Sequence, residues 1–185
     1  MSMPGSNPSR LFTVGHSNRT LEEFLSLLKS HRVETLIDVR TVPKSRYVSH
    51  FNKEALAASL ETVGINYIHF PKLGGLRKAK KDSVNTGWKN ASFRGFADYM
   101  QTSEFEAAVD ELLLRIGRSA GAILCAEAVP WKCHRSLIAD ALVVRGVSVD
   151  HIMAPTRTQS HQLTPFARVS GMRITYPDLL GSEAS

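Results

Sequence analysis

Five short apolar runs, separated by stretches of helical periodicity, constrain this chain more than any other feature. Leu11–His16, Thr35–Val39, Ile65–Phe70, Ala122–Ala126 and Val147–Ile152 have strand length and are largely apolar. Runs of that kind read as strands buried on both faces. Between them, Thr20 opens a helix as N-cap, with Glu23 completing a capping box and Leu21, Phe24, Leu25 and Leu28 forming the apolar face. Asn52 caps a helix carrying Leu56, Leu60 and Val63, and Gly64 ends it. Ser103 and Glu106 make a second capping box ahead of Phe105, Val109, Leu112 and Ile116. Lys132–Arg145 is the last helix, with Pro130 suited to its first position. Val169–Tyr176 reads as a sixth strand. Strand and helix alternating in this way imply an α/β fold. We expect a single domain with a mostly parallel open sheet of five to six strands and helices on both faces, a Rossmann-like layering. The domain is expected over residues 11–178, with a disordered tail at 1–10 and a flexible one at 179–185.

A chain of 185 residues with 43% apolar and 22% charged residues suits one globular domain. No apolar run approaches the roughly 18 residues that span a bilayer, and residues 1–10 lack the hydrophobic segment of a signal peptide. We therefore expect a cytoplasmic protein with no membrane partner, in which two cysteines stay reduced. The net charge of +6 is local. Seven of the 23 basic residues and one of the 17 acidic ones lie between Lys72 and Arg94, which leaves the remainder balanced. That segment also holds Gly74, Gly75 and Gly87, so an irregular basic loop is expected over 72–94. It would meet an anionic small molecule or nucleic acid.

Ligands of open parallel sheets bind beyond the carboxyl ends of the strands. The polar motifs fall there: Gly15-His16-Ser17 after the first run, Asp38-Val-Arg40 after the second, His69 and then Leu73-Gly74-Gly75-Leu76-Arg77 after the third. Cys125-Ala-Glu127 follows the fourth, and His151 ends the fifth.

The densest chemistry lies in Cys125–Arg135. Cys133-His134-Arg135 would occupy the first helical turn, where oriented N–H groups lower thiol pKa and attract anions. A thiolate there acts as nucleophile, with Glu127 or His134 moving protons and Arg135 holding an anion. A buried cysteine with polar neighbours capping the helix is the plainer alternative. The phosphatase loop, Cys, five residues, then Arg, is excluded, because the sixth residue after Cys125 is Trp131 and after Cys133 is Ala139. Cys125, Cys133 and His134 are also zinc or iron ligand types. Their spacing is not finger-like, however, and adjacent Cys and His in a helix point apart, so no cofactor is expected and no metal ligand assigned. Arg40 and Arg46, with Ser45, suit a phosphate or carboxylate, while an Asp38–Arg40 brace explains them equally well. In Gly15-His16-Ser17, backbone approach to a ligand competes with a simple turn. Trp88, Phe93 and Phe96 either stack on bases or return to the core, the latter being favoured, and Tyr99 either lines the pocket or packs.

Taken together, Thr13–Asn18, Asp38–Arg40 with Ser45-Arg46, Leu73–Arg77, Phe96–Met100, Cys125–Glu127, Pro130, Cys133–Arg135 and Ile138–Asp140 resemble the bacterial and archaeal family of domain of unknown function 488, over roughly residues 11–152. The resemblance implies a compact α/β domain whose polar motifs form one site, and it implies no cofactor. We expect an uncharacterised small enzyme with a Cys/His/Glu/Arg site acting on an anionic, nucleotide- or nucleic-acid-related substrate. The alternatives are a non-catalytic nucleotide or nucleic-acid binding module and a cysteine-based metal site. Nothing in the sequence indicates an oligomeric state.

Overall fold

The structure, a computed structural model, describes residue 8 and residues 10–181, so the expected tails at 1–10 and 179–185 lie mostly outside the described residues. A six-stranded sheet runs in the order β3-β2-β4-β1-β5-β6. Its strands are β1 (Arg10–Gly15), β2 (Thr35–Asp38), β3 (Asn66–His69), β4 (Gly121–Cys125), β5 (Ser148–Ala154) and β6 (Arg157–Ser160). The first five are parallel. The helices are α1 (Leu21–Ser30), α2 (Lys53–Glu61), α3 (Ala91–Met100), α4 (Ser103–Ile116) and α5 (Arg135–Val144). No helix among the described residues is long and apolar enough to cross a membrane.

Period-two side-chain alternation divides the core. Leu11, Ile37, Ile123 and Val149 face α3, α4 and α5, whereas Val14, Leu36, Leu124 and Ile152 face α1 and α2. Both faces are therefore covered, as a parallel sheet requires. The connection after β4 leaves through α5 on one face, while those after its neighbours β1 and β2 leave through α1 and α2 on the other. Strand β4 thus marks a topological switch point, where diverging connections open a crevice.

Several local expectations change. The Thr20–Glu23 capping box is present on α1. At α4 the cap is Thr102, whose Oγ1 accepts from Phe105 N at 3.3 Å. The third residue from that cap is an apolar phenylalanine, so no reciprocal box closes. Asn52 precedes α2 without capping it, because its Oδ1 accepts from Ser45 N at 2.6 Å. The basic loop ends sooner than expected: Asn90 caps α3, and residues 91–94 are helical.

The sixth strand of the sheet is β6 rather than Val169–Tyr176. It folds back on β5 through a two-residue turn at Pro155-Thr156 and pairs antiparallel. Residues 168–175 instead form a separate hairpin of β7 (Arg168–Ser170) and β8 (Arg173–Thr175). It belongs to a C-terminal segment that packs over α5. That helix is buried from Arg135 through Leu142, polar residues included.

Candidate active site

Strand β4 ends at Cys125, and the chain then bends over the end of β1. His16 N and Ser17 N donate to the carbonyls of Cys125 and Ala126 at 3.1 and 2.8 Å. Gly15 permits that approach, since a Cβ there would lie 1.8 Å from the Glu127 carbonyl oxygen. A single 3-10 turn follows at Pro130–Lys132, but it does not run on into α5. Cys133 is extended, with φ −135° and ψ 146°. The carbonyl of Cys133 then accepts from both N and Oγ of Ser136, at 3.1 and 3.0 Å, and the helix restarts. The expected helix from Lys132 is thus broken at Cys133.

This break brings side chains together that a helix would separate. Cys133 Sγ lies 3.6 Å from His134 Nδ1. Cys125 Sγ joins them, and the three atoms lie within 4.8 Å of one another. The His134 ring is oriented by its far nitrogen: Nε2 is 3.0 Å from the Leu73 carbonyl oxygen. A carbonyl only accepts, so Nε2 carries the proton and Nδ1 presents a lone pair to the sulfurs. Phe96 meets the ring edge-on at 5.0 Å, and a Cβ on Gly75 would come within 2.7 Å of Nδ1. A hydrogen bond from the Cys125 thiol, aided by Arg135, draws the Cys133 thiol down to about 7. The same hydrogen bond, together with burial, pushes Cys125 up to about 12.

The cluster forms one wall of a cleft of about 500 Å³ above the switch point. Arg40, Thr41 and Val42 from the end of β2 line it, with Gly75 and Leu76 from the basic loop, Asn90, Ser92 and Phe93 around the start of α3, and Ala126, Glu127 and Lys132. Glu127 and Lys132 are exposed at its rim.

The other residues singled out in the sequence are distributed around this cleft. Asp38, fully buried, takes Arg40 in a fork, Nε to Oδ1 at 2.9 Å and Nη2 to Oδ2 at 2.6 Å, and also accepts from Tyr67 OH at 2.6 Å. Arg40 further donates to the Phe51 carbonyl at 2.7 Å and to His16 Nε2 at 3.2 Å. Burial lowers His16 to about 4, so the ring is neutral, with Nδ1 donating to the Ser17 carbonyl. His69 Nε2 donates to the Arg40 carbonyl at 2.9 Å. Ser45 Oγ accepts from Tyr47 N and Val48 N, a turn within its own loop, while Arg46 is exposed. Gly74 is buried against Thr41. Arg135 is 1% exposed and donates to the carbonyls of Glu127 and Ala128, so it braces the loop from beneath.

Tyr99 stands outside the cleft, its hydroxyl on the Lys72 carbonyl at 2.7 Å and its ring under the Arg77 guanidinium at 3.6 Å. Arg77 also donates to the Gly74 and Lys72 carbonyls. Within the basic segment, Lys72 pairs with Glu111, Lys89 with Asp178, and Arg94 turns onto backbone carbonyls. Lys78, Lys80 and Lys81 remain exposed. Trp88 stacks on Phe93 at 4.9 Å and meets Phe166 edge-on, and Phe96 is fully buried, so Trp88 and Phe96 return to the core while the half-buried Phe93 also lines the cleft.

His151 is not at the carboxyl edge. It lies within β5, paired with Thr13, and its ring bonds Thr13 Oγ1 at 2.6 Å and His161 Nδ1 at 3.0 Å. His161 in turn meets the buried Asp140, which also accepts from Thr164 Oγ1 and Tyr176 OH. Sequence reading gave His161 no role, since nothing local ties it to Asp140. It also missed Thr41, Asn90, Ser92 and Lys132 as cleft residues. The Asn90 cap ahead of a helical pattern was a usable signal, whereas Thr41 carried none.

Residues 20–142 match the family model described as "Domain of unknown function DUF488". No curated protein and no solved structure matches the chain.

Proposed function

We propose that this chain, which belongs to the family of domain of unknown function 488, is a small enzyme whose reactive centre is the Cys125–Cys133–His134 cluster and whose substrate is a small anion. The convergence of two sulfurs and an imidazole lone pair on one wall of the switch-point cleft carries this reading. A purely structural cluster has no need of a cleft, and sites in open α/β sheets lie at that place. Lys132 at the rim gives the opening a cation, since the Arg40 charge is met by Asp38, and the exposed Glu127 beside it is placed to move a proton. Arg135 supports the loop that carries Glu127 rather than the substrate.

Alkylation with two reagents of like shape tests both halves of this reading. In reduced, chelator-treated protein at neutral pH, we expect iodoacetate to modify the cluster sulfurs with a rate, relative to iodoacetamide, about tenfold above the ratio for free cysteine. Lys132→Ala should lower that ratio. Sulfurs that stay unmodified until the protein unfolds, or a ratio equal to that of free cysteine, would overturn it.

A second reading, a nucleic-acid binding module without chemistry, is favoured by the exposure of Lys78, Lys80 and Lys81 on one loop. On that reading, affinity for single-stranded oligonucleotides falls steeply with salt, and neutralising the three lysines flattens the slope. Weak binding with no salt dependence would remove it.

A further inference from the structure

We infer that Cys125 Sγ, Cys133 Sγ and His134 Nδ1 are the protein ligands of one zinc-class divalent cation, with a fourth coordination position open to the cleft. Two grounds in the sequence stood against a metal, a cysteine spacing unlike a finger's and a continuous helix in which neighbouring Cys and His side chains diverge; the structure bears on the second. The extended backbone at Cys133 removes that objection. A tetrahedral centre with ordinary zinc–sulfur and zinc–nitrogen lengths sets sulfur and nitrogen about 3.6 Å apart and two sulfurs about 3.8 Å apart. The observed Sγ···Nδ1 distance is 3.6 Å, and all three donors fall within 4.8 Å. The Cys133–His134 pair stands at coordination spacing, and Cys125 lies near enough for a small side-chain shift to complete the set.

Three further features suit a cation. The Leu73 carbonyl takes the proton-bearing nitrogen of His134, which is the usual outer support of a metal-bound imidazole and aims the lone pair inward. Gly75 leaves room beside Nδ1 where any Cβ would intrude. Two sulfurs and an imidazole form a donor set that prefers zinc and its borderline neighbours over magnesium or calcium. All three ligands line the cleft, so water or a substrate oxygen has access to the remaining position. Three protein ligands with an open fourth site is the pattern of catalytic rather than structural zinc. The ion would supply the reactive site above with its cofactor, and in that role the inference rests on that reading; the ligation itself stands on the donor geometry.

Cobalt(II) is the probe. The full chain, chelator-treated and reduced, is titrated with cobalt and followed by absorption. We expect one equivalent to bind with a thiolate-to-cobalt charge-transfer band in the near ultraviolet and the intense visible bands of tetrahedral cobalt, all displaced by zinc. A small anion such as thiocyanate should shift the visible bands by entering the fourth position. Cys125→Ser and His134→Ala should each weaken binding at least tenfold, with circular dichroism and thermal unfolding confirming the fold. Lys29→Ala, on the exposed face of α1 outside the cleft, should bind as wild type. Cys133→Ser is the most buried change; if it fails to fold, Cys125→Ser at the half-buried position carries the test. No binding by the wild type, or weak octahedral spectra indifferent to Cys125→Ser, overturns the inference. Tetrahedral cobalt whose spectrum ignores every added anion overturns the open position. Rapid, anion-preferring alkylation without cobalt binding would retain the thiol-centred function and discard the ion. Cobalt binding without that alkylation preference would do the reverse.

Discussion

Gly15 and Gly75 matter for what they leave out. Gly15 lets the chain after β4 cross the end of β1 with its Glu127 carbonyl where a Cβ would stand, 1.8 Å away. Backbone cannot rotate aside as a side chain can, so Gly15→Ala should displace the loop and cost about 2–3 kcal/mol, read by urea unfolding. At Gly75 the opposing atom is the His134 ring, 2.7 Å from the Cβ position. Gly75→Ala should leave thermal stability nearly unchanged yet weaken cobalt binding about tenfold, as changes beside metal-bound histidine do. Asp38 is different again. It is fully buried and accepts from Arg40 and Tyr67, so Asp38→Ala strands a guanidinium and should destabilise by about 3–5 kcal/mol. From sequence, Asp38-Val-Arg40 fitted an anion site or a brace equally well. Spacing alone could not choose, because the deciding partners, Tyr67 and the Phe51 carbonyl, come from distant segments.

The strands were the most legible elements, because buried parallel strands write themselves as apolar runs. Strand β6 was not, since Arg157-Thr-Gln-Ser is polar and held to β5 by backbone pairing at the sheet edge. The last helix was legible in composition but not in its start. Proline at 130 is equally at home in a short 3-10 turn, and whether that turn continues depends on where the carbonyl of Cys133 finds its donors. On that one backbone break hung the whole geometry of the cluster, which is why Cys125, Cys133 and His134 could be singled out in the sequence while their convergence could not. The C-terminal segment shows the same limit. Tyr176 OH donates to Asp140 Oδ2 at 2.8 Å in a fully buried position. Tyr176→Phe should lower stability by about 1–2 kcal/mol, measured by thermal unfolding, with the sulfur cluster chemically unaltered.

For the molecule entire, buried imidazoles set the response to acid. Burial above all, and then the charges of His161 and Arg135, hold His151 down to about 4, while Asp150 and Asp140 oppose them. The unfolded chain takes up that proton near the ordinary value of about 6.5. Stability is therefore fully present above that value and falls as pH drops toward the folded value, by at most about 3 kcal/mol for this ring. Urea midpoints should fall progressively across that window, and His151→Gln should flatten part of the decline. A wider consequence follows from the position of β1 between β4 and β5, with Phe12 beside Ala122 and Leu11 beside Val149. Among the described strands β1 precedes the others in synthesis yet is central in the finished sheet, and both its neighbours are made only after β2 and β3. A nascent chain long enough to pair β2 with β3 still holds its central strand unmatched, an apolar segment awaiting its partners. Chains halted before β5 should remain protease-sensitive and bind chaperones, and native resistance should arise only once both β4 and β5 have emerged.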